Sequence, residues 1–438
     1  MRKILVVLVV AILLVAFFLP KILETPFGKP LFENALGEKF NATVSIGSLH
    51  LSWLGPQSLQ QIHISNSEME GSIDELNSNV PFWQLNQFGK AFSLQNGTFT
   101  LPAYGNLKVE QVEAKVVGQD VFATGQSTQG GSFSIKGKIY AKNDVDLIGN
   151  FHQMPPALFD SFLNTKGLLT ALLGPSMDIS STLVYKQGEG LLNIDLAATF
   201  AKLSLHGQIS KDFLLLKDSL AATLFWHPEL SKITDGHVVN AKFPISLQID
   251  PDKTAIPINP FSLNQLIIGH ATLDLGRLVL QNVSPLVSFL SLLQRGSIGS
   301  SAIPIWFTPV AFSLYQGKAE IGRIDALIES AIHLCAWGKI DLPNQLNMIL
   351  GIPADTLENA LGIKGLPRNY VLQIPVRGTI QNPKYDSGAA TAKITAWLAT
   401  QQATKATGIF GQVFNRLIKP AQEDQDVPPP NRPFPWER

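Results

Sequence analysis

Residues 192–200 read Leu-Asn-Ile-Asp-Leu-Ala-Ala-Thr-Phe. Leu192, Ile194, Leu196, Ala198 and Phe200 share one parity, and Asn193, Asp195, Ala197 and Thr199 share the other. Successive side chains of an extended chain point to opposite faces, so the alternation predicts a strand with one apolar and one polar face. The same grammar recurs on either side. Leu107, Val109, Val112, Ala114 and Val116 form one such line, and Phe133, Ile135 and Ile139 another. Further lines are Ala271, Leu273 and Leu275; Ile332, Leu334 and Ala336; and Leu372, Ile374 and Val376. Turn residues such as Asn96-Gly97, Gly118 to Asp120 and Asp235-Gly236 separate them. The reading is mostly β, an antiparallel meander with no strict sequence period.

Near the start of the chain Val44, Ile46, Leu49, Leu51 and Trp53 follow the rule with a one-residue slip at Gly47-Ser48, which predicts a bulge. Helical patterns are few. They cover Lys29–Phe40, Pro156–Leu173 (stopped by Gly174-Pro175), Ser284–Gln294 and Asp386–Ile418. In the last of these Ile409, Phe410, Val413, Phe414, Leu417 and Ile418 make an apolar face. Gln422 to Arg438 turns acidic and then proline-rich, and is expected to be extended and disordered.

Ile4 to Leu19 is sixteen residues without a polar side chain, preceded by Arg2 and Lys3 and closed by Pro20-Lys21. At about 1.5 Å per residue such a helix, extended to Leu23, approaches the ~30 Å of a hydrocarbon core. The positive flank predicts an uncleaved single-pass anchor with a cytoplasmic N-terminus, which leaves the bulk of the chain across the membrane. Lys plus Arg and Asp plus Glu each number 34, so no basic footprint points to nucleic acid. Charged residues are 16% of the chain, well under the usual ~25%. A large domain so poor in charge either buries unusually well or presents apolar surface to something other than water.

Chemistry-bearing motifs are missing. The eight histidines never fall within four residues of one another, and the single cysteine, Cys335, excludes any local zinc pattern. It sits in the apolar run 332–337 and reads as a small buried hydrophobe. No nucleophile elbow, phosphate loop or dinucleotide fingerprint occurs. The expectation is a protein that is not an enzyme and carries no cofactor or metal.

Residues 40–54, Phe-Asn-Ala-Thr-Val-Ser-Ile-Gly-Ser-Leu-His-Leu-Ser-Trp-Leu, follow directly on the expected anchor. In that position they resemble the start of an AsmA-like protein of the repeating β-groove, or bridge-like, lipid transfer group. Residues 317–324 (GKAEIGRI), 338–342 (GKIDL) and 374–383 (IPVRGTIQNP) resemble that family's return and closing strands. The likeness covers residues 1–66 and 305–386.

The resemblance implies a transmembrane helix followed by a long, twisted, gutter-like antiparallel β-groove with a few short helices. The expected organisation is an anchor (1–23), a β-groove domain (24–385), a C-terminal amphipathic helix (386–420) and a proline-rich tail (421–438). It also implies phospholipid partners whose acyl chains lie in the groove, and a periplasmic bulk held on the inner membrane of a two-membrane envelope. Outer-membrane or other envelope proteins would be further partners. Val44, Ile46, Leu192, Ile194, Leu196, Phe200, Leu273, Leu275, Leu372 and Ile374 are the expected groove lining. The function expected is lipid carriage or bridging between membranes. The alternative is a non-catalytic scaffold for outer-membrane protein biogenesis that works through its sheet edges. About 340 residues at ~15 per strand and turn predict ~23 strands.

Overall fold

The computed structural model describes residues 19–66, 70–82, 91–101, 105–128, 130–140, 144–163, 167–234, 236–258, 264–281, 302–342, 344–379, 382–386 and 426–437, with residues 262, 388, 392, 394 and 395. Among the described residues no helix is long and apolar enough to cross a membrane. The expected anchor, up to Phe18, lies outside them, as do the helix expected over 284–294 and most of the one expected over 386–418. The described residues hold 25 strands, helical residues at 19–23 and five further helices of four or more residues, in two compact units, Met1–Ala201 and Lys202–Arg438.

The first unit opens with α1 (Lys29–Phe40), which ends where Asn41 takes a left-handed φ of 49° and the chain turns back on Gly37 O. Ten strands follow: β1 (Thr43–His50), β2 (Gln57–Ser65), β3 (Glu70–Ser78), β4 (Ala91–Leu101), β5 (Gly105–Val117), β6 (Asp120–Gln126), β7 (Ser132–Ile139), β8 (Val145–Met154), β9 (Met177–Lys186) and β10 (Glu189–Ala198). Each pairs antiparallel with the next, so the meander read from the sequence is complete here. Two-residue turns set the register. Gln187 (φ 54°) and Gly188 (φ 90°) place Lys186 opposite Glu189, the type I′ geometry that matches strand twist.

The slip at Gly47 extends across five strands. Ladder pairs flank, but skip, Gly47 and Gln61 in β1–β2, and the same omission continues through Asp74, Asn96 and Glu110. Gln61 and Asn96 adopt left-handed φ values of 52° and 49°. Both strands of each pair shift together, so the register is kept while the faces exchange. The sequence compensates by spacing apolar residues three apart across the crease. Ile46 and Leu49, like Leu59 and Ile62, are therefore buried in one core beneath Phe32 and Leu36 of α1. Among the described residues β1 pairs with β2, and carboxylates take up backbone donors on and beside it. Ile46 N–H donates to Glu33 Oε1 (2.7 Å), and Leu51 N–H donates to Glu24 Oε1 (2.7 Å).

Between β8 and β9 the single helix expected over 156–173 is two, α2 (Pro156–Leu163) and α3 (Leu168–Leu173). Gly167, at φ 85°, breaks the helical path. The Asp160 carboxylate of α2 then accepts from the backbone N–H of Leu169 (2.8 Å) and Thr170 (2.7 Å), satisfying donors that a helix start leaves orphaned.

The second unit contains β11 (Ala201–Ser210), β12 (Phe213–Leu216), β13 (Leu220–Leu224), α4 (Leu230–Ile233), β14 (Val238–Ala241), β15 (Ile245–Ile249), β16 (Ala255–Pro257), β17 (Ile268–Asp274), β18 (Arg277–Gln281), β19 (Ala302–Phe307), β20 (Val310–Tyr315), β21 (Lys318–Ile328), β22 (Ile332–Asp341), β23 (Gln345–Pro353), α5 (Ala354–Leu361), β24 (Val371–Thr379) and β25 (Pro383–Tyr385). Here the expected meander gives way to exchanged partners. β12 pairs with β16, β13 with β15, β15 with β17, β17 with β20, and β14 with β18. The sheet forks on β21, whose residues 318–321 pair with β20 and 326–328 with β19. From β21 to β25 pairing is sequential again. Leu357 of α5 closes a core with Ile303, Ile332, Ile352, Leu372 and Ile374.

The tail expected to be disordered is docked from Asp426 to Glu437. Phe434 is buried to 3% exposure, and Pro428 O accepts from Arg323 Nη1 at 3.0 Å. Val427, Pro428, Phe434, Pro435 and Trp436 are buried or half-buried there, which removes apolar area from water.

A methyl group added at Gly188 would meet nothing within 4 Å, so only its left-handed backbone restricts the position. Gly188→Ala is expected to destabilise the first unit by about 1–2 kcal/mol through the αL penalty alone. Thermal denaturation should show the midpoint fall by a few degrees, whereas Gln187→Asn, which tolerates that φ, should leave it unchanged or raise it.

Candidate functional site

Adding the pairings of β4 to β10 strand by strand gives three rows on one face of the first unit. The first runs Leu94, Val112, Gly125, Phe133, Phe151, Ile179 and Leu196. Beside it run Phe92, Ala114, Ala123, Ile135, Gly149, Ser181 and Ile194, and then Val116, Val121, Gly137, Leu147, Leu183 and Leu192. Seven strands thus offer one apolar face, broken only by the hydroxyl of Ser181. The other face carries Glu113, Lys136, Asp146, Asn150, Asp178, Asn193 and Asp195. Most side chains of the three rows are half-buried rather than sealed, because α2 and α3 pack against only part of them. There α2 and α3 set Leu158, Phe159 and Leu173 against Phe151, Ile179 and Leu196.

Where α2 crosses toward β5 a cavity of ≈ 470 Å³ remains, within the range of small-molecule sites. Its walls are Phe92, Leu94, Val109, Val112, Phe133, Ile135, Phe151, Met154, Leu158 and Phe159, with Lys108 and Ser127 the polar exceptions. The Phe133 wall is seated directly over a glycine. A methyl group at Gly125 would lie 2.4 Å from the Phe133 ring. At about 25 cal/mol per Å², covering ~200 Å² of this lining with an acyl chain would contribute about 5 kcal/mol.

Among the ten residues expected to line a groove, Leu192, Ile194 and Leu196 lie on this face, in the alternation their sequence showed. Phe200 lies past the end of β10 and packs its ring at Gly174, on the C-terminus of α3. Val44 and Ile46 are enclosed beneath α1, and Leu372 and Ile374 (0% and 1% exposed) beneath α5. Protein side chains, not an open trough, surround those four. In the second unit Leu273 is half-buried between Leu247 and Val310, and Leu275 stands in the turn after β17. The sequence reading does not single out the cavity walls Phe92, Leu94, Phe151 and Met154. They are set opposite Ala114, Val112, Phe133 and Met177 by ladders that no two-residue turn fixes.

The second unit holds a polar cluster at the fork of β21. Asp325, 0% exposed, receives Arg323 Nη2 at 2.7 Å and Nε at 2.9 Å. His333 sets Nε2 2.9 Å from Asp325 Oδ1 and Nδ1 3.1 Å from Asp355 Oδ2. Asp325 N–H donates to Thr308 Oγ1 (2.9 Å), tying the fork together. Burial opposes ionisation of Asp325, but His333 and Arg323 outweigh it and hold the carboxyl below its ordinary 3.8. Burial likewise opposes the charge on His333, yet Asp325 and Asp355 raise its pKa above 6.5. With both ring nitrogens facing carboxylates the imidazole is a donor twice over, which suits an ion cluster and not a general base. No nucleophile completes a catalytic set here among the described residues. Thr356 Oγ1 donates to His333 O (2.6 Å), and burial pushes the Cys335 thiol up to about 12. The cluster instead seats the tail, with the rings of Phe434 and Trp436 5.1 and 5.8 Å from His333. Among the described residues no group of three or more His, Cys, Asp or Glu is placed to hold a metal ion.

A search against protein-family models finds no match for this chain, and neither does a search of curated proteins.

Removing one partner of the buried cluster leaves an uncompensated charge, so Asp325→Asn should cost about 3–5 kcal/mol of second-unit stability, read by chemical denaturation. The stability due to His333 is complete below 6.5 and is lost as pH rises through its raised folded value. That due to Asp325 and Asp355 is complete above 3.8 and lost as pH falls through their lowered values. Trp436 emission is expected to report tail release on the alkaline side, and the alkaline step should vanish in His333→Gln, which does not titrate.

Proposed function

We propose that the chain is a membrane-anchored envelope protein that binds phospholipid acyl chains on the apolar face of its first unit. On this reading it carries or bridges lipids between inner and outer membranes without catalysis. The observation that carries the proposal is the set of three register-aligned apolar rows over β4 to β10, half-exposed and opening on a cavity walled almost wholly by apolar side chains. Left uncovered, this face would hold a large apolar surface in water, a costly state unless a ligand completes the layer. The lining offers no array of hydrogen-bond partners that would single out a polar substrate. Acyl chains are recognised by area alone, and a uniform lining lets them move without a deep trap at any one position. Support for the membrane side comes from the sixteen-residue apolar run, and support for transport between membranes from the likeness to AsmA-like proteins in residues 40–54 and 374–383.

The test is mass spectrometry of lipids extracted from the full chain, purified in the mildest detergent that keeps it dispersed. At least one phospholipid per chain is expected, with the amount reduced severalfold in Ile135→Asp, which sets a carboxylate among the walls of the cavity. A lipid-free, monodisperse protein, or lipid indifferent to Ile135→Asp in a chain whose thermal midpoint is retained, would replace this reading with that of an assembly scaffold.

A further inference from the structure

Large apolar side chains are exposed at one end of the first unit, where turns and a helix start would ordinarily be polar. Phe27 is 90% exposed, Leu54 89% and Leu31 66%, flanked by Ile22 and Leu19. Exposed apolar residues elsewhere in this unit, such as Phe122 and Ile148, stand singly among polar neighbours on the strands. These five do not. Leu51 N–H donates to Glu24 Oε1 (2.7 Å), and Lys29 Nζ donates to Gly47 O (3.2 Å), so residues 24–29 lie along β1. The Ser52–Pro56 turn that carries Leu54 leaves β1 at the end held by Glu24. Trp53 in that turn is anchored edge-on to Phe82 with ring centroids 4.9 Å apart, which leaves Leu54 at the tip.

The occupant is indicated by the chain itself. Leu19 is the last residue of the apolar run that begins at Ile4, so the exposed group is continuous with a segment that requires hydrocarbon around it. Lys21 and Lys29 sit among the five, as cations do at the level of lipid head groups. We propose that Leu19, Ile22, Phe27, Leu31 and Leu54 form a collar that enters the interfacial layer of a phospholipid bilayer and holds the β1 end of the first unit against it. The inference rests on the anchored part of the function proposed above and is independent of lipid in the cavity. Burial of five large side chains restricts tilting about the anchor, so α1 and β1 meet the membrane in one orientation.

Cys335 is buried, which leaves introduced cysteines as the reactive thiols. The full chain, carrying a fluorophore at Phe27→Cys, Leu54→Cys or, as the control on the polar face of β8, Ile148→Cys, is reconstituted into vesicles of phosphatidylethanolamine and phosphatidylglycerol with or without acyl-chain bromination. Roughly twofold quenching by brominated lipid is expected at positions 27 and 54, and none at 148, since an interfacial side chain reaches the acyl boundary. Quenching at 27 and 54 no greater than at 148, in protein that floats with the vesicles, overturns the collar and leaves the anchor. Failure to float overturns both. Quenching in protein that yields no extractable phospholipid upholds the collar and removes the lipid-carrying function.

Discussion

The constraint on which the first unit depends is that apolar side chains stay on one face through ten consecutive strands. An antiparallel pair transmits parity faithfully, since residues opposite one another point the same way. A single unmatched insertion would turn every later apolar residue toward water. The crease through Gly47, Gln61, Asp74, Asn96 and Glu110 shows how the sheet accommodates an irregularity under that constraint. Five strands shift together, and β1, β2, β3 and β5 each move their apolar residues from a spacing of two to a spacing of three at that point. The irregularity is absorbed in the ladder while the core beneath α1 remains continuous.

From that constraint the cavity follows. The rows of β4 to β10 are uniform in polarity but uneven in size, with Gly125, Gly137 and Gly149 set among Phe133, Leu147 and Phe151. The large residues Phe133 and Phe151 wall a volume that Leu158 and Phe159 of α2 border without filling. The same alternation in the last strands of the second unit has the opposite outcome. There α5 follows β23 directly, and Leu357 and Ile363 complete a closed core. One pattern therefore serves both an accessible face and a sealed one, and the covering helix decides between them.

The polar cluster at the fork of β21 solves a different problem. A strand that serves two neighbours in succession must leave backbone groups between them, here near residues 322–325. Thr308 takes up Asp325 on both its N–H and C=O, while Arg323 and His333 neutralise the carboxylate that this brings inside. Buried charge is costly unless paired, and the pairing occupies both ring nitrogens of the imidazole. The docked tail lies over this cluster through Pro428, Phe434 and Trp436, which shields it from water and strengthens its ion pairs.

Much of this was legible in residues 192–200 and their counterparts, because side-chain parity is a property of the covalent chain and needs no partner to be expressed. The slip at Gly47 and the alternation of β10 were expressed in that way, whereas Cys335 is buried against the parity of Ile332 and Leu334 because β22 is covered on both faces. Two-residue turns such as Gln187-Gly188 carried the register of neighbouring strands as well, since the turn type dictates which residues face each other. What tertiary structure alone decided lies beyond the reach of a turn. The exchange of partners among β12 to β20 is a competition between open sheet edges that leaves no local trace. Whether an apolar row is open or closed depends on where a helix comes to rest, so Ile194 stays half-exposed while Ile374, identical in type and parity, is sealed. Arg323, Asp325, His333 and Asp355 come together only through the sheet register and the start of α5, and the tail finds them across more than a hundred residues of chain. Local sequence sets what each segment offers to its surroundings; burial depends on which distant segment arrives to accept it.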